Sequence, residues 1–315
     1  MGVTSTRAGL RKCRAAGPGS RVAVVAPASA FDRDQFDQGI AELIRLGFEP
    51  VFDESVFERQ ATVAGGAAVR AAALRQSWNH HDVDAIVAVR GGYGSVETLP
   101  LLDASDVPSH PAAFVGYSDV TSIHTWLNLY VGVTSIHGAM LDRRLALGHE
   151  AYDPDTFMRS LSCEPLGELA PDGIDVLRRG EARGLFLGGT VTQLAASLGT
   201  PYAFQPPPDA VLFLDEVAER PYRLRRLLTQ LRLAGTFRRA SAIVIGQLPR
   251  CDEPDGRVTA RDIVEEFFSD FGGPVLFGFP SGHTTTPLLS LPLGVDARVI
   301  TEGVARLVFD ESAAA

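Results

Sequence analysis

Short apolar runs rich in Val, Ile and Ala, each ending in a Gly- or Pro-containing turn, constrain this chain more than any other feature. Residues 21–26 (RVAVVA) stop at Pro27, 84–89 (DAIVAV) run into Arg90-Gly91-Gly92-Tyr93-Gly94, and 112–115 run into Gly116-Tyr117-Ser118-Asp119. Such runs have no polar face, so as strands they must be covered on both sides. Helical patterns lie between them. Phe36, Ile40, Leu43 and Ile44 recur at helical spacing until Gly47, 67–78 is rich in Ala and Arg, and a helix is expected from Ser118 to about Tyr130. Strands alternating with helices predict a parallel sheet, hence an α/β first domain.

The pattern restarts further along. Apolar runs at 211–214, 242–245 and 275–277 are interleaved with amphipathic stretches at 222–233 and 260–268, and strand-like pieces follow over 288–308. The 315 residues suffice for about two domains. We expect a leader over 1–20 without stable structure, an N-terminal α/β domain over 21–160, a linker over 161–175 and a second α/β or α+β domain over 176–315. The linker carries Pro, Gly and acidic residues with little periodicity.

Counts exclude several chemistries. Lys12 is the only lysine, so a P-loop, a pyridoxal phosphate Schiff base or a Ser–Lys dyad could be built only if the leader folded into the site. With 29 basic and 38 acidic residues the net charge is −9, which argues against a nucleic-acid partner. No apolar run approaches the ~18 residues that span a bilayer. Cys13, Cys163 and Cys251 are widely separated and form no disulfide framework. No apolar core of a secretory signal is seen, although 1–6 (MGVTST) fits the loose myristoylation pattern. Neither HExxH nor a Cys/His cluster of zinc spacing occurs, and we expect no metal and no cofactor.

In open parallel sheets, ligands bind beyond the carboxyl ends of strands. Two turns stand there. Gly91, Gly92 and Gly94 allow positive φ and free N–H groups, or simply a tight turn. Residues 116–119 resemble a nucleophile elbow, with Val120 where a second glycine would complete the motif. Ser118 could instead be a helix N-cap. Either way, a serine at a helix start sits where N–H groups can hold an oxyanion. For the base, His137 after a strand at 134–136 competes with His283 in the turn-rich stretch 281–287, and the orienting acid could be Asp215 or Glu216. The residues themselves do not choose between these pairs.

Together, 21–29 (RVAVVAPAS), 89–94 (VRGGYG), 114–119 (FVGYSD), 214–216 (LDE) and 282–284 (GHT), followed by 291–294 (LPLG), resemble in order the LD-carboxypeptidase family. These serine peptidases include muramoyltetrapeptide carboxypeptidase and the microcin C self-immunity proteins. The resemblance implies a flavodoxin-like or amidotransferase-like N-terminal domain bearing the nucleophile Ser118, and a smaller C-terminal domain bearing Glu216 and the base His283, with the site between them. It implies an oxyanion hole from N–H groups near Gly92 and at Asp119. It further implies a cytoplasmic homodimer that removes terminal D-alanine from a murein tetrapeptide, or else a self-immunity hydrolase of peptidyl nucleotides. A module that binds small ligands without catalysis is the reading from another class. A carboxypeptidase must also recognise a free carboxylate, and with lysine unavailable an arginine suits that role. Arg90, at the strand end beside Gly91, is the candidate by position, its alternative being an ion pair across the domain junction. The Gly91 and Gly92 N–H groups could bind the same carboxylate.

Overall fold

The computed structural model describes residues 9–315, and the myristoylation pattern falls outside them. Strands β1 (Arg21–Val25), β2 (Glu49–Val51), β3 (Val83–Ala88), β4 (Ala113–Gly116) and β5 (Ser135–His137) form the first sheet. The second part supplies β6 (Gly167–Leu169), β7 (Asp175–Arg178), β8 (Glu181–Thr190), β9 (Ala210–Asp215), β10 (Ala240–Gly246), β11 (Val275–Phe279), β12 (Leu291–Leu293), β13 (Asp296–Ile300) and β14 (Arg306–Phe309). The helices are α1 (Arg33–Arg45), α2 (Ala67–Asn79), α3 (Thr121–Trp126), α4 (Pro154–Leu161), α5 (Val191–Ala196), α6 (Pro221–Leu233) and α7 (Ala260–Phe267).

The six-stranded sheet runs β12-β5-β4-β3-β1-β2, parallel except for β12, and the eight-stranded sheet runs β6-β14-β13-β8-β9-β10-β11-β7. In the second sheet β8, β9, β10 and β11 are mutually parallel. The parallel strands are buried at nearly every position, as their unbroken apolar sequences require. Local chemistry sets the helix starts. Asp32 accepts the Asp34 and Gln35 N–H groups at the head of α1, Pro221 opens α6, and Thr259 and Asp262 form a capping box at α7.

Strand parity sorts the second domain's core. Val211 and Phe213 of β9 join a cluster shared with β1, β3 and β4, whereas Leu212 and Leu214 face a second cluster built with α5, α6 and α7. The shared cluster sews the two sheets together, and β12, from the C-terminal segment, pairs with β5 of the first sheet.

Two boundaries differ from expectation. Residues 9–20 are not a loose leader. Cys13 and Ala16 are buried, the Cys13 N–H donates to Ala313 and to Thr134 Oγ1, and Arg11 bridges Val133. The strip is held by backbone pairing, Arg11 with Val133 before β5 and Cys13 with Ala314 near the C-terminus. Lys12 is thereby tied to Glu311 and Ser312. The expected linker is also partly structured, since β6 within it pairs with β14. No helix among the described residues is long and apolar enough to cross a membrane.

Candidate active site

The carboxyl ends of β4, β9 and β11 converge. Beyond β4 the chain extends through Tyr117 and then turns sharply at Ser118, whose φ is +67°. A left-handed conformation in a residue with a Cβ costs about 1–3 kcal/mol and persists only where surrounding structure enforces it. Here Asp119 does so. Its Oδ2 accepts the Ser95 N–H at 2.8 Å, its carbonyl accepts the Ser95 hydroxyl at 2.7 Å, and its Oδ1 accepts from Gln193 Nε2 of α5 at 2.9 Å. The glycine turn after β3 lies against this elbow. A Cβ on Gly91 would stand 2.8 Å from Ser118 Cβ and 3.1 Å from the Asp119 nitrogen, so only glycine fits there. Ser29 Oγ accepts the Tyr93 N–H, and the Ser29 N–H donates to the Gly91 carbonyl, which fixes the turn. The Gly92 N–H has no acceptor among the described residues, and the Asp119 N–H sits in the first helical turn, where no intrahelical acceptor exists.

His283 follows β11 and reaches across. Its Nε2 lies 3.1 Å from Ser118 Oγ, and its Nδ1 lies 2.7 Å from Asp215 Oδ2. The His283 N–H also donates to Asp215 Oδ1 at 3.0 Å. That double contact needs Gly282, with φ +77°, because a Cβ there would fall 2.4 Å from the Asp215 carboxyl carbon. Asp215 ends β9 and is wholly buried. Burial alone would raise its pKa, but the charge and hydrogen bonds of His283 outweigh that and hold it below the usual carboxylate range. Tyr117 packs edge-on against the His283 ring.

The carboxylate facing His283 is therefore Asp215, not the expected Glu216. Glu216 points to the other side of the strand, where its Oε2 accepts the Thr192 N–H and hydroxyl at 2.8 and 2.7 Å, at the start of α5. Its Oε1 accepts the Val217 N–H, and burial raises its pKa. Strand alternation is the cause. Residue 215 shares the face of Val211 and Phe213, toward the first domain, while residue 216 shares the face of Leu212 and Leu214. That parity is a signal the bare sequence carried, once the inward face of β9 is known.

The rival histidine is near but not engaged. His137 is buried against Phe213 and Tyr117, its Nδ1 meets Ser281 Oγ at 3.3 Å, and its Nε2 has no partner. Burial lowers its pKa to about 4. His124, bonded to the Gly116 carbonyl and Ser135 Oγ, is lowered by burial to about 3. Arg90 sits at the strand end as expected, with Nη1 3.1 Å from Asp142 Oδ2. Its side chain is one-third exposed, and its Nε lies beside Gly92. Among the described residues, the one trio with metal-ligand geometry is His80, His81 and Asp82, all exposed and remote in the fold from Ser118.

Residues 22–138 match the LD-carboxypeptidase N-terminal domain, and residues 183–299 match the LD-carboxypeptidase C-terminal domain. The chain belongs to the LD-carboxypeptidase family. Among its relatives, a Streptomyces coelicolor protein named as a carboxypeptidase is 33% identical over 286 residues, 90% of this chain and 91% of that one. The murein tetrapeptide carboxypeptidase of Pseudomonas aeruginosa is 29% identical, covering 84% of this chain and 88% of its own. The fold is shared with the muramoyltetrapeptide carboxypeptidase of Oxalobacter formigenes (TM-score 0.82, 24% identity, 93% of this chain and 99% of that one). It is shared equally with the microcin C7 self-immunity protein MccF (TM-score 0.87, 20% identity, 97% of this chain and all of that one). The two matched segments lie one in each half of the chain, and between them they include Ser118, Asp215 and His283.

Proposed function

We propose that this chain is a cytoplasmic serine LD-carboxypeptidase that releases the terminal D-alanine of a murein tetrapeptide during peptidoglycan recycling. The observation that carries the reading is the unbroken relay from Ser118 Oγ through His283 to Asp215, at 3.1 and 2.7 Å. Ser118 attacks the scissile carbonyl carbon as His283 Nε2 takes its proton. Asp215 holds Nδ1–H and balances the imidazolium. The Gly92 and Asp119 N–H groups receive the negative charge on the carbonyl oxygen. His283 then protonates the leaving D-alanine nitrogen as the C–N bond breaks; a water molecule next gives its proton to His283 and attacks the acyl carbon, and His283 returns that proton to Ser118 Oγ as the ester C–O bond breaks. Arg90, steadied by Asp142, keeps donors toward the cleft for the substrate's terminal carboxylate, helped by the Gly91 backbone. In this reading the unit is a homodimer, with serine from 21–160 and the acid and base from 176–315.

A second reading, cleavage of peptidyl nucleotides as in microcin C self-immunity, has one observation against it. An active-site variant of MccF replaces a serine, an asparagine and a lysine. This chain's only lysine, Lys12, is tied to Glu311 beside the start of β5, at the opposite end of the strand from the cleft. Mass spectrometry of digests separates the readings. Loss of one alanine from a murein tetrapeptide, with an aminoacyl sulfamoyl adenylate left intact, is the expected result. The reverse preference overturns it, and no fluorophosphonate labelling of Ser118 would leave only ligand binding.

A further inference from the structure

The base and the nucleophile belong to different halves of the chain, so something must hold the His283 loop in register with the elbow. We infer that Arg144 is a positioning residue that clamps this loop, an inference that rests on the Ser118–His283–Asp215 reading. The guanidinium Nη2 donates to the carbonyls on both sides of the histidine, Gly282 at 3.0 Å and Thr284 at 3.4 Å. Its Nε donates to Tyr117 Oη at 3.2 Å, and its Nη1 to the Ala151 carbonyl at 2.9 Å. Tyr117 is the residue before Ser118, and its ring packs against both the guanidinium and His283. One side chain therefore touches the chain before the nucleophile and the chain on either side of the base.

Among the described residues Arg144 has no carboxylate partner. All four of its hydrogen bonds go to neutral oxygens. A charged donor spent on neutral oxygens is suited to holding backbone, and the rigid guanidinium aims three separate nitrogens at Tyr117, at Ala151 and at the Gly282 and Thr284 carbonyls, which a single ammonium cannot do. Its base is rigid. Leu145 is buried, and the strip after it pairs with the far end of the same loop, the Leu288 N–H donating to Ala151 and the Asp153 N–H to Leu288. The segment 144–153 thus grips the loop at 282, 284 and 288, with His283 held inside the grip.

The test compares wild type, Arg144→Ala and Arg144→Lys by thermal unfolding, fluorophosphonate labelling of Ser118 and tetrapeptide kinetics. Arg144→Ala is expected to stay folded, with kcat and labelling rate down about 10²-fold and KM within about threefold, since a displacement near 1 Å costs that much and Arg144 does not touch substrate. Added guanidinium should restore part of the rate. Labelling and kcat within about threefold of wild type overturn the inference, as does a loss that merely tracks the unfolded fraction. Should Arg144→Ala fail to fold, Arg144→Lys decides: folded with labelling about tenfold slower supports the clamp, and wild-type labelling sinks it. A wild type that is not labelled at Ser118 overturns the triad and this inference together. A labelled wild type with an equally reactive Arg144→Ala removes the clamp alone.

Discussion

The two halves of the site are held by different means. The nucleophile elbow is mostly a construction of the first domain, with one hydrogen bond from Gln193 of α5 to Asp119. A strand, a strained serine and a helical turn follow one another in sequence, and Asp119, Ser95 and Gly91 pack against them from nearby turns. The histidine loop is closed locally at its base, where the Leu289 N–H donates to Pro280 and Ser281 Oγ to Leu289, and Thr284 Oγ1 donates to Thr286, but none of these bonds involves His283 itself. The loop backbone leans on Asp215 from another strand and on Arg144 from the other domain. A strained turn is set largely by its own residues and the turns beside it, whereas His283 is placed by contacts remote in sequence.

The contrast is broken most completely by removing its two ends. Ser118→Ala and His283→Ala should each lower kcat/KM by ~10³-fold or more, with the double variant little worse than either, because the two groups act as a unit. Additive losses in a chromogenic peptide assay would separate them. Next comes the carboxylate. Asp215→Asn should cost ~10²–10⁴-fold in kcat through loss of the charge and of the imidazole orientation, while Glu216→Gln stays within about tenfold. The opposite ranking would restore Glu216 as the orienting acid.

Backbone substitutions sharpen the comparison. Gly91→Ala presses a methyl on the elbow, and Gly282→Ala presses one on Asp215. Each should slow turnover about 10- to 10²-fold. Labelling of Ser118 should fall in both, but the His283–Asp215 proton resonance should move only in Gly282→Ala. Movement in both would mean the two regions are one rigid unit.

The buried histidines predict a pH effect on stability. Burial lowers the folded pKa values of His124 and His137 to about 3 and about 4, from the ordinary histidine value of 6.5. The unfolded chain then binds more protons between pH 6.5 and 4, so stability is complete above that window and is lost as pH falls through it. The loss is on the order of a few kcal/mol, and His137→Asn should flatten the slope in urea titrations. An unchanged slope would mean His137 accepts a proton in the fold. The smallest effect is expected at Arg90. Arg90→Ala should reduce the preference for a tetrapeptide over its C-terminal amide by about tenfold or less, since N–H groups share the carboxylate. An unchanged acid-to-amide ratio would leave Arg90 as an ion pair to Asp142 and nothing more.

Much of the fold is legible in the sequence. Runs such as RVAVVA and DAIVAV have no polar face, so they could only be strands covered on both sides, and the glycine turns and Ser118 at their carboxyl ends follow from that. The seam between the domains was not legible, because β12 and the strip at 9–20 are short, ambiguous pieces whose pairing depends on distant partners. Nor was the choice between Asp215 and Glu216. Two adjacent acids are equivalent as composition and opposite in space, because neighbouring residues of a strand point to opposite faces. Burial of Phe213 toward the first domain sets the face of β9, at roughly 1.5–3 kcal/mol for such a side chain, and Asp215 goes with it. The sequence alone determined that a serine would stand at a strand's end with histidines and acids available. Only the packing of the second sheet on the first decided which acid and which histidine would meet it.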